Sequence, residues 1–205
     1  MAAPKLDPDG NLVRSCQDAP LTGLEGPFRD LYARYKDRVY NVCYRVTGNA
    51  SDALDASQET FGILFRKIGD FRFQSRFSSW VYRIAINASI DLKRRQSSRR
   101  LASLDAVTDP GGEEAGRFDL EDERSELPAE VASRHELESE VHCAISRLSP
   151  KLRTITVLRY IESLSYDEIA ETLQISLGTV KSRLSRAHAA MDRELTPVLH
   201  KHYLG

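Results

Sequence analysis

The chain has 205 residues, 29% of them charged and 41% hydrophobic, which leaves room for one or two small domains. Mean hydropathy is -0.42, and no stretch approaches the roughly 20 apolar residues of a membrane helix. Three well-separated cysteines, Cys16, Cys43 and Cys143, exclude a disulfide framework and point to a reducing cytoplasm.

The net charge of -1 hides a strong division. Residues 1–24 carry 2 basic and 3 acidic residues, and residues 25–100 carry 15 and 8. Residues 101–140 carry 3 and 13, and residues 141–205 carry 9 and 6. Two basic blocks, net +7 and +3, flank an acidic segment of net -10. Such asymmetry suggests two polyanion-binding modules joined by a segment that a polyanion repels.

In chain order, residues 1–24 read as a disordered tail: Pro4, Pro8, Pro20 and scattered Asp make them polar, with no apolar core of a signal peptide. Phe28, Leu31, Tyr35, Val39, Val42 and Val46 then recur at helical spacing, and Gly48 is placed to end that helix in a left-handed cap. Ser51 or Asp52 can cap the next helix, whose apolar stripe is Leu54, Phe61, Leu64, Phe65 and Ile68, closed by Gly69. Ser78 reads as the cap of a third helix, with Phe77 and Tyr82 as a staple. Val81, Ile84, Ala85, Ala88 and Leu92 form its buried face, and it runs out into Lys93, Arg94 and Arg95.

Residues 101–136 have the composition of a linker. A second block follows over 137–197, with a tail at 198–205. Its signals are a stripe through Leu137, Val141, Ala144, Ile145 and Leu148, Ser149-Pro150 at a helix start running to about Ser163, and a capping box at Ser165 and Glu168. A turn through Ile175-Ser176 leads to a last helix over about 178–195. No strand alternation is present, so the fold class is all-α: two small helical domains, 25–100 and 137–197.

Three surfaces carry chemistry. Between the last two helices the pattern is a helix-turn-helix, with Val180, Leu184, Ala187 and Met191 inward and Thr179, Lys181, Ser182, Arg183, Ser185 and Arg186 on the other face. Arginine can read guanine in a major groove, and Ser, Thr and Lys can hold phosphates. In the first block, Phe71, Phe73, Phe77, Trp80 and Tyr82 interleave with Arg72, Arg76 and Arg83. Aromatics of this kind stack on unpaired bases while arginines hold the backbone, or they are core. Phe77 and then Phe71 suit the core; Trp80 and Tyr82 fall off the buried stripe and read as partly exposed, as does Asn87. On the second helix, Asp55, Gln58, Glu59 and Gly62 share one acidic face, which repels DNA and suits either a protein partner or solvent.

Residues 52–95 and 148–187 together resemble regions 2 and 4 of the extracytoplasmic-function (ECF, group 4) sigma factors of bacterial RNA polymerase. The motif D-x-x-Q-E-x-F at Asp55, Gln58, Glu59 and Phe61 carries the first likeness. The helix-turn-helix start T-V-K-S-R-L carries the second. The resemblance implies that Asp55, Gln58, Glu59 and Phe61 meet the clamp helices of the polymerase β′ subunit. It implies that Arg72, Phe73, Arg76, Trp80, Tyr82, Asn87, Lys93, Arg94 and Arg95 contact and melt the −10 element. It implies that Thr179, Lys181, Ser182, Arg183 and Arg186 read the duplex −35 element, with region 4 also on the β flap and an anti-sigma factor as a further partner. Many members carry glycine or an acidic residue where Phe73 follows Phe71-Arg72 here.

No catalytic constellation, cofactor motif or metal-ligand spacing is found; His135, His142 and Cys143 form no ligand set. A small-molecule substrate and membrane insertion are not expected. Two other readings remain: a dimeric helix-turn-helix regulator, against which the acidic face and aromatic loop speak, and an enzyme. In the linker, Asp119, Glu121, Asp122 and Glu123 read either as a nucleic-acid mimic within the polymerase or as a solvated spacer.

Overall fold

The structure is a computed structural model that describes residues 7–19, 26–104 and 139–203. Among these no strand occurs. Helix α1 spans Gly10–Asp18, α2 Pro27–Thr47, α3 Ala50–Lys67 and α4 Phe77–Leu104. A single 3-10 turn, Ile68–Asp70, follows α3. Helix α5 covers 139–147 among the described residues, followed by α6 Pro150–Thr156, α7 Tyr166–Leu173 and α8 Leu177–Tyr203.

Helix α2 is the centre of the first block because its apolar stripe is complete. Phe28, Leu31, Tyr35, Val39, Val42 and Val46 are all buried. Gly48 ends the helix with φ 75°, and its amide donates to the Tyr44 carbonyl at 2.7 Å. Helices α3 and α4 and the 3-10 turn between them close the bundle with Ala53, Leu64, Ile68, Phe77, Val81 and Ala85.

Four local expectations are corrected. Helix α3 is capped by Asn49, whose side chain accepts from the Asp52 amide at 3.0 Å, two or three residues earlier than Ser51 or Asp52. Leu54 is 52% exposed rather than core, because Ala53 and Ala56 supply the inward face at that end of α3. Helix α4 begins at Phe77, whose amide donates to the Asp7 carboxylate at 2.8 Å, so a remote residue takes the place given to Ser78. Helix α8 continues to Tyr203, so residues 198–203 extend it rather than forming a separate tail.

The N-terminal tail reading fails for residues 9–18. Helix α1 buries Val13 and Cys16 against the bundle. The Asp9 carboxylate accepts from Arg34 at 2.6 Å and from the Tyr35 hydroxyl at 2.5 Å. Burial of the Cys16 side chain raises its thiol pKa. Two inward residues per nine are too few for a stripe to stand out in a polar sequence, and the helix gains its stability from the bundle beneath it. Residues 1–6 and 20–25, and the acidic stretch from 105 to 138, lie outside the described residues, as do Asp119, Glu121, Asp122 and Glu123.

In the second block, Pro150 occupies the first turn of α6, and the Ser149 carbonyl accepts from Leu152 and Arg153, each at 2.9 Å. The helix then widens into a π turn, Val157–Ile161, where the Glu162 amide donates to the Val157 carbonyl at 3.1 Å. Val157 and Leu158 stay buried, and Ser163 leaves in the left-handed region at φ 55°. The capping box forms as the sequence suggests: Ser165 Oγ accepts from the Glu168 amide at 3.3 Å, and the Ser165 amide donates to Glu168 Oε2 at 2.8 Å. Ile169, Val180, Leu184 and Ala187 pack the α7–α8 pair.

The two blocks are in contact. Arg153 of α6 donates to the Val46 carbonyl at the end of α2 at 3.3 Å. His142 of α5 stacks on Tyr44, with ring centroids 5.0 Å apart and planes 9° from parallel.

Candidate nucleic-acid interface

The acidic face of α3 is solvent-facing: Asp55, Gln58 and Glu59 are exposed. Phe61 lies beneath it, 8% exposed, with Tyr32 edge-on at 4.7 Å. Tyr32 and Leu54 are themselves 40% and 52% exposed, so an apolar rim borders the carboxylates. Sequence periodicity missed both, since each shares a helix with an apolar stripe. Arg95 approaches Glu59 at 3.8 Å, and Gln96 donates to Asp52 at 2.6 Å, which brings the basic end of α4 alongside this face.

Residues 71–76 form the loop before α4. Phe71 is buried and Phe73 is 36% exposed, with φ 54°, a region few aromatic residues occupy. Phe73 meets Phe71 edge-on at 5.0 Å, and Arg14 of α1 lies 5.3 Å from its ring centroid. Trp80 is half-buried, 5.1 Å from Phe71 and 5.7 Å from Phe77. Arg72, Asn87, Lys93, Arg94 and Arg95 are exposed.

Tyr82 departs from expectation. It is 2% exposed, and its hydroxyl is hydrogen-bonded to Glu162 with Arg38 alongside. Burial first, and then the Glu162 charge, push the phenol well above its ordinary range. Burial likewise raises Glu162 above the usual carboxylate range, opposed by Tyr82, Arg38 and Arg45. Arg76 also faces the second block: its guanidinium lies 2.8 Å from Glu168 Oε1. No local pattern signals either contact, because both partners come from the other domain.

On α8, Lys181, Ser182 and Arg186 are exposed, and Arg186 Nε donates back to the Ser182 carbonyl at 3.3 Å. Ser176 caps the helix by accepting from the Thr179 amide at 3.1 Å. Arg183 is half-buried. With Thr172 and Gln174 it faces Arg83, Ile86 and Asn87 of α4 across a cleft of about 510 Å³ between the blocks. The structure therefore brings Asn87 and Arg183 together and leaves Lys181, Ser182 and Arg186 on an open surface. Among the described residues no group of His, Cys, Asp and Glu could hold a metal, and no helix is long and apolar enough to cross a membrane.

Two family descriptions match the chain: Sigma-70 region 2 over residues 31–99 and Sigma-70, region 4 over residues 138–191. The ECF RNA polymerase sigma factor SigW of Bacillus subtilis is 35% identical over 173 residues, covering 84% of this chain and 91% of that protein. The RNA polymerase sigma-H factor of Pseudomonas aeruginosa is 37% identical over 180 residues, covering 87% and 91%. Among solved structures, CnrH in complex with the cytosolic domain of CnrY shares the fold at TM-score 0.63 and 23% identity, covering 92% of this chain and 97% of that one. The sigma factor RpoE in complex with the anti-sigma factor NepR from Bartonella quintana does so at TM-score 0.63 and 20% identity, covering 82% and 96%. The exposed helix-turn-helix face, the aromatic loop and these relatives converge: the chain belongs to the ECF RNA polymerase sigma factors, which direct transcription initiation at promoters.

Proposed function

We propose that this chain acts as a group 4 sigma factor of the cytoplasm, a binding subunit without catalysis of its own, through three separate surfaces. Asp55, Gln58 and Glu59, with Phe61 beneath and Leu54 at the rim, meet the polymerase β′ clamp helices. Arg72, Phe73, Arg76, Trp80, Asn87 and the end at Lys93, Arg94 and Arg95 take the melted −10 strand. Tyr82 supports α4 from inside rather than touching DNA. Thr179, Lys181, Ser182, Arg183 and Arg186 read the −35 duplex, and region 4 docks on the β flap.

The observation that carries this reading is the exposed carboxylate face on α3, set beside a basic helix end in the same block. A DNA-only module gains nothing from an acidic patch there, because phosphates repel it. A protein partner does, with Leu54 and Tyr32 as apolar anchors. The solved neighbours are complexes of a sigma factor with an anti-sigma factor or a cytosolic domain, which supports an anti-sigma partner here.

Addition of the purified chain to core polymerase tests the reading: promoter-dependent transcripts are expected. Asp55→Lys with Glu59→Lys removes core binding while thermal stability stays near wild type, because the Arg95–Glu59 pair is an exposed contact worth at most about 1 kcal/mol. A doubly reversed variant that co-purifies with core as wild type does overturns the clamp assignment.

A further inference from the structure

Helix α1 and Asp7, three residues before its start, grip the loop before α4 through three side chains. Gln17 Nε2 donates to the Ile68 carbonyl at 2.9 Å and to the Phe71 carbonyl at 2.8 Å, fixing where the loop begins. The Asp7 carboxylate accepts from the Phe77 amide at 2.8 Å, fixing where it ends. Between them Arg14 covers the Phe73 ring at 5.3 Å. The loop is held in a conformation that its own sequence disfavours: Phe73 has φ 54°, which costs an aromatic residue more than it costs glycine. One side of the ring packs edge-on against Phe71, and 36% of the residue remains open to solvent. A ring in a disfavoured backbone conformation, packed on one side, held by a cation and open on the rest, is placed to be presented.

Charge points the same way. Asp7 and Asp9 are both engaged, by the Phe77 amide and by Arg34 and Tyr35. Arg14 is exposed, so the outward charge next to Phe73 is positive. A guanidinium on an aromatic ring suits an unpaired base on that ring and its phosphate beside it.

We propose that α1 is a working part of the single-strand contact, with Asp7 and Gln17 presetting loop 71–76 and Arg14 as the positioning residue that keeps Phe73 presented to an unpaired base. These residues lie outside the matched region 2 segment, which begins at residue 31. The inference rests on the reading of the loop as the −10 contact.

The test uses the full chain bound to core polymerase. The probe is a fork-junction DNA with a duplex −35 end and a single-stranded −10 segment carrying 2-aminopurine at successive positions. Arg14→Leu keeps the packed stem and removes the cation; it should weaken fork-junction binding about fivefold, the worth of one cation–π contact. It should also change 2-aminopurine emission at one position. Arg14→Lys should restore both. Affinity for core and for duplex −35 DNA, and the thermal midpoint, should not move. Phe73→Ala is run in parallel. If Phe73→Ala loses fork binding and Arg14→Leu does not, the role of α1 is overturned while the loop reading stands. If neither changes fork binding, the loop reading itself fails. Equal losses in Arg14→Leu and Arg14→Lys, with a lowered thermal midpoint, would show that α1 is scaffold alone and overturn the proposal.

Discussion

Arg76, from the loop that precedes α4, lies 2.8 Å from Glu168, the residue that completes the capping box of α7. Glu168 therefore serves two structures with two oxygens. Oε2 accepts from the Ser165 amide and starts the helix-turn-helix, while Oε1 holds a promoter-contact candidate of the other block. The buried Arg76 Nε finds no hydrogen-bond partner among the described residues, so the guanidinium gains from this contact mainly by charge.

Glu168→Gln separates the two roles, because glutamine keeps the capping box and removes the charge. The variant should retain its thermal stability within about 0.5 kcal/mol and hold its two blocks less tightly. Energy transfer between a dye on exposed Cys143 and one on Ser51→Cys reads the separation. Lower transfer in the variant is expected, and unchanged transfer with rising salt would show that Arg76–Glu168 does not hold the blocks together.

Asp9 is 5% exposed and bonded to both Arg34 and Tyr35. Asp9→Ala strands the buried Tyr35 hydroxyl and should cost about 2–3 kcal/mol in urea unfolding. Asp9→Asn keeps an acceptor and should cost less. A free N-terminal tail would leave both variants at wild-type stability, so the denaturation midpoint separates the two pictures.

Trp80 and Arg186 sit on different blocks and should fail differently. Arg186→Ala, on the open face of α8, weakens binding to duplex −35 DNA by about 1–3 kcal/mol if it reads a base. Trp80→Ala leaves closed-complex binding intact and reduces strand opening, seen by permanganate reactivity of −10 thymines. Normal opening in the Trp80 variant would remove it from the melting surface.

His142, stacked on Tyr44, has its pKa lowered first by burial and then by Arg45 and Arg153. When the stack opens, the ring takes up its proton near its ordinary 6.5. A base whose folded value is depressed adds stability above 6.5 and loses it as pH falls toward the lowered value. Glu162, raised by burial, acts with the opposite sign in the window between its raised value and 4.5. The contact should therefore weaken as pH falls below 6.5, and His142→Phe, which keeps the stack, should abolish that loss. Interdomain energy transfer against pH is the measurement; an identical profile in the variant would assign the effect elsewhere.

What the sequence could show followed from what periodicity encodes. The α2 stripe, the Gly48 cap and the Ser165 capping box are local patterns, and each stands where its spacing put it. Tyr82 departs from its spacing because Glu162, the partner of its hydroxyl, arrives through a π turn 80 positions later, and no spacing on α4 announces that. Asp7 as the partner of Phe77 is invisible for the same reason. Leu54 shows the converse error: helical spacing places a residue near a stripe, but small Ala53 and Ala56 on the true inward face let the larger leucine turn outward. The acidic face of α3 was legible as a surface, yet its partner came from the family resemblance and not from its charges.

Blocks that touch at Arg76–Glu168 cannot also lie on two promoter elements whose names place them about 25 base pairs apart, roughly 85 Å of duplex. Every promoter-bound chain has therefore left this arrangement, and the observed affinity is the intrinsic one multiplied by the fraction of chains that are apart. Each factor of ten in that fraction is about 1.4 kcal/mol taken from binding to both elements at once. A lone −35 sequence, met by the open face of α8 that carries Lys181, Ser182 and Arg186, does not bear that cost. The contact between the blocks thus sets a cost on spanning both elements at once, and a partner that already holds the blocks apart removes it.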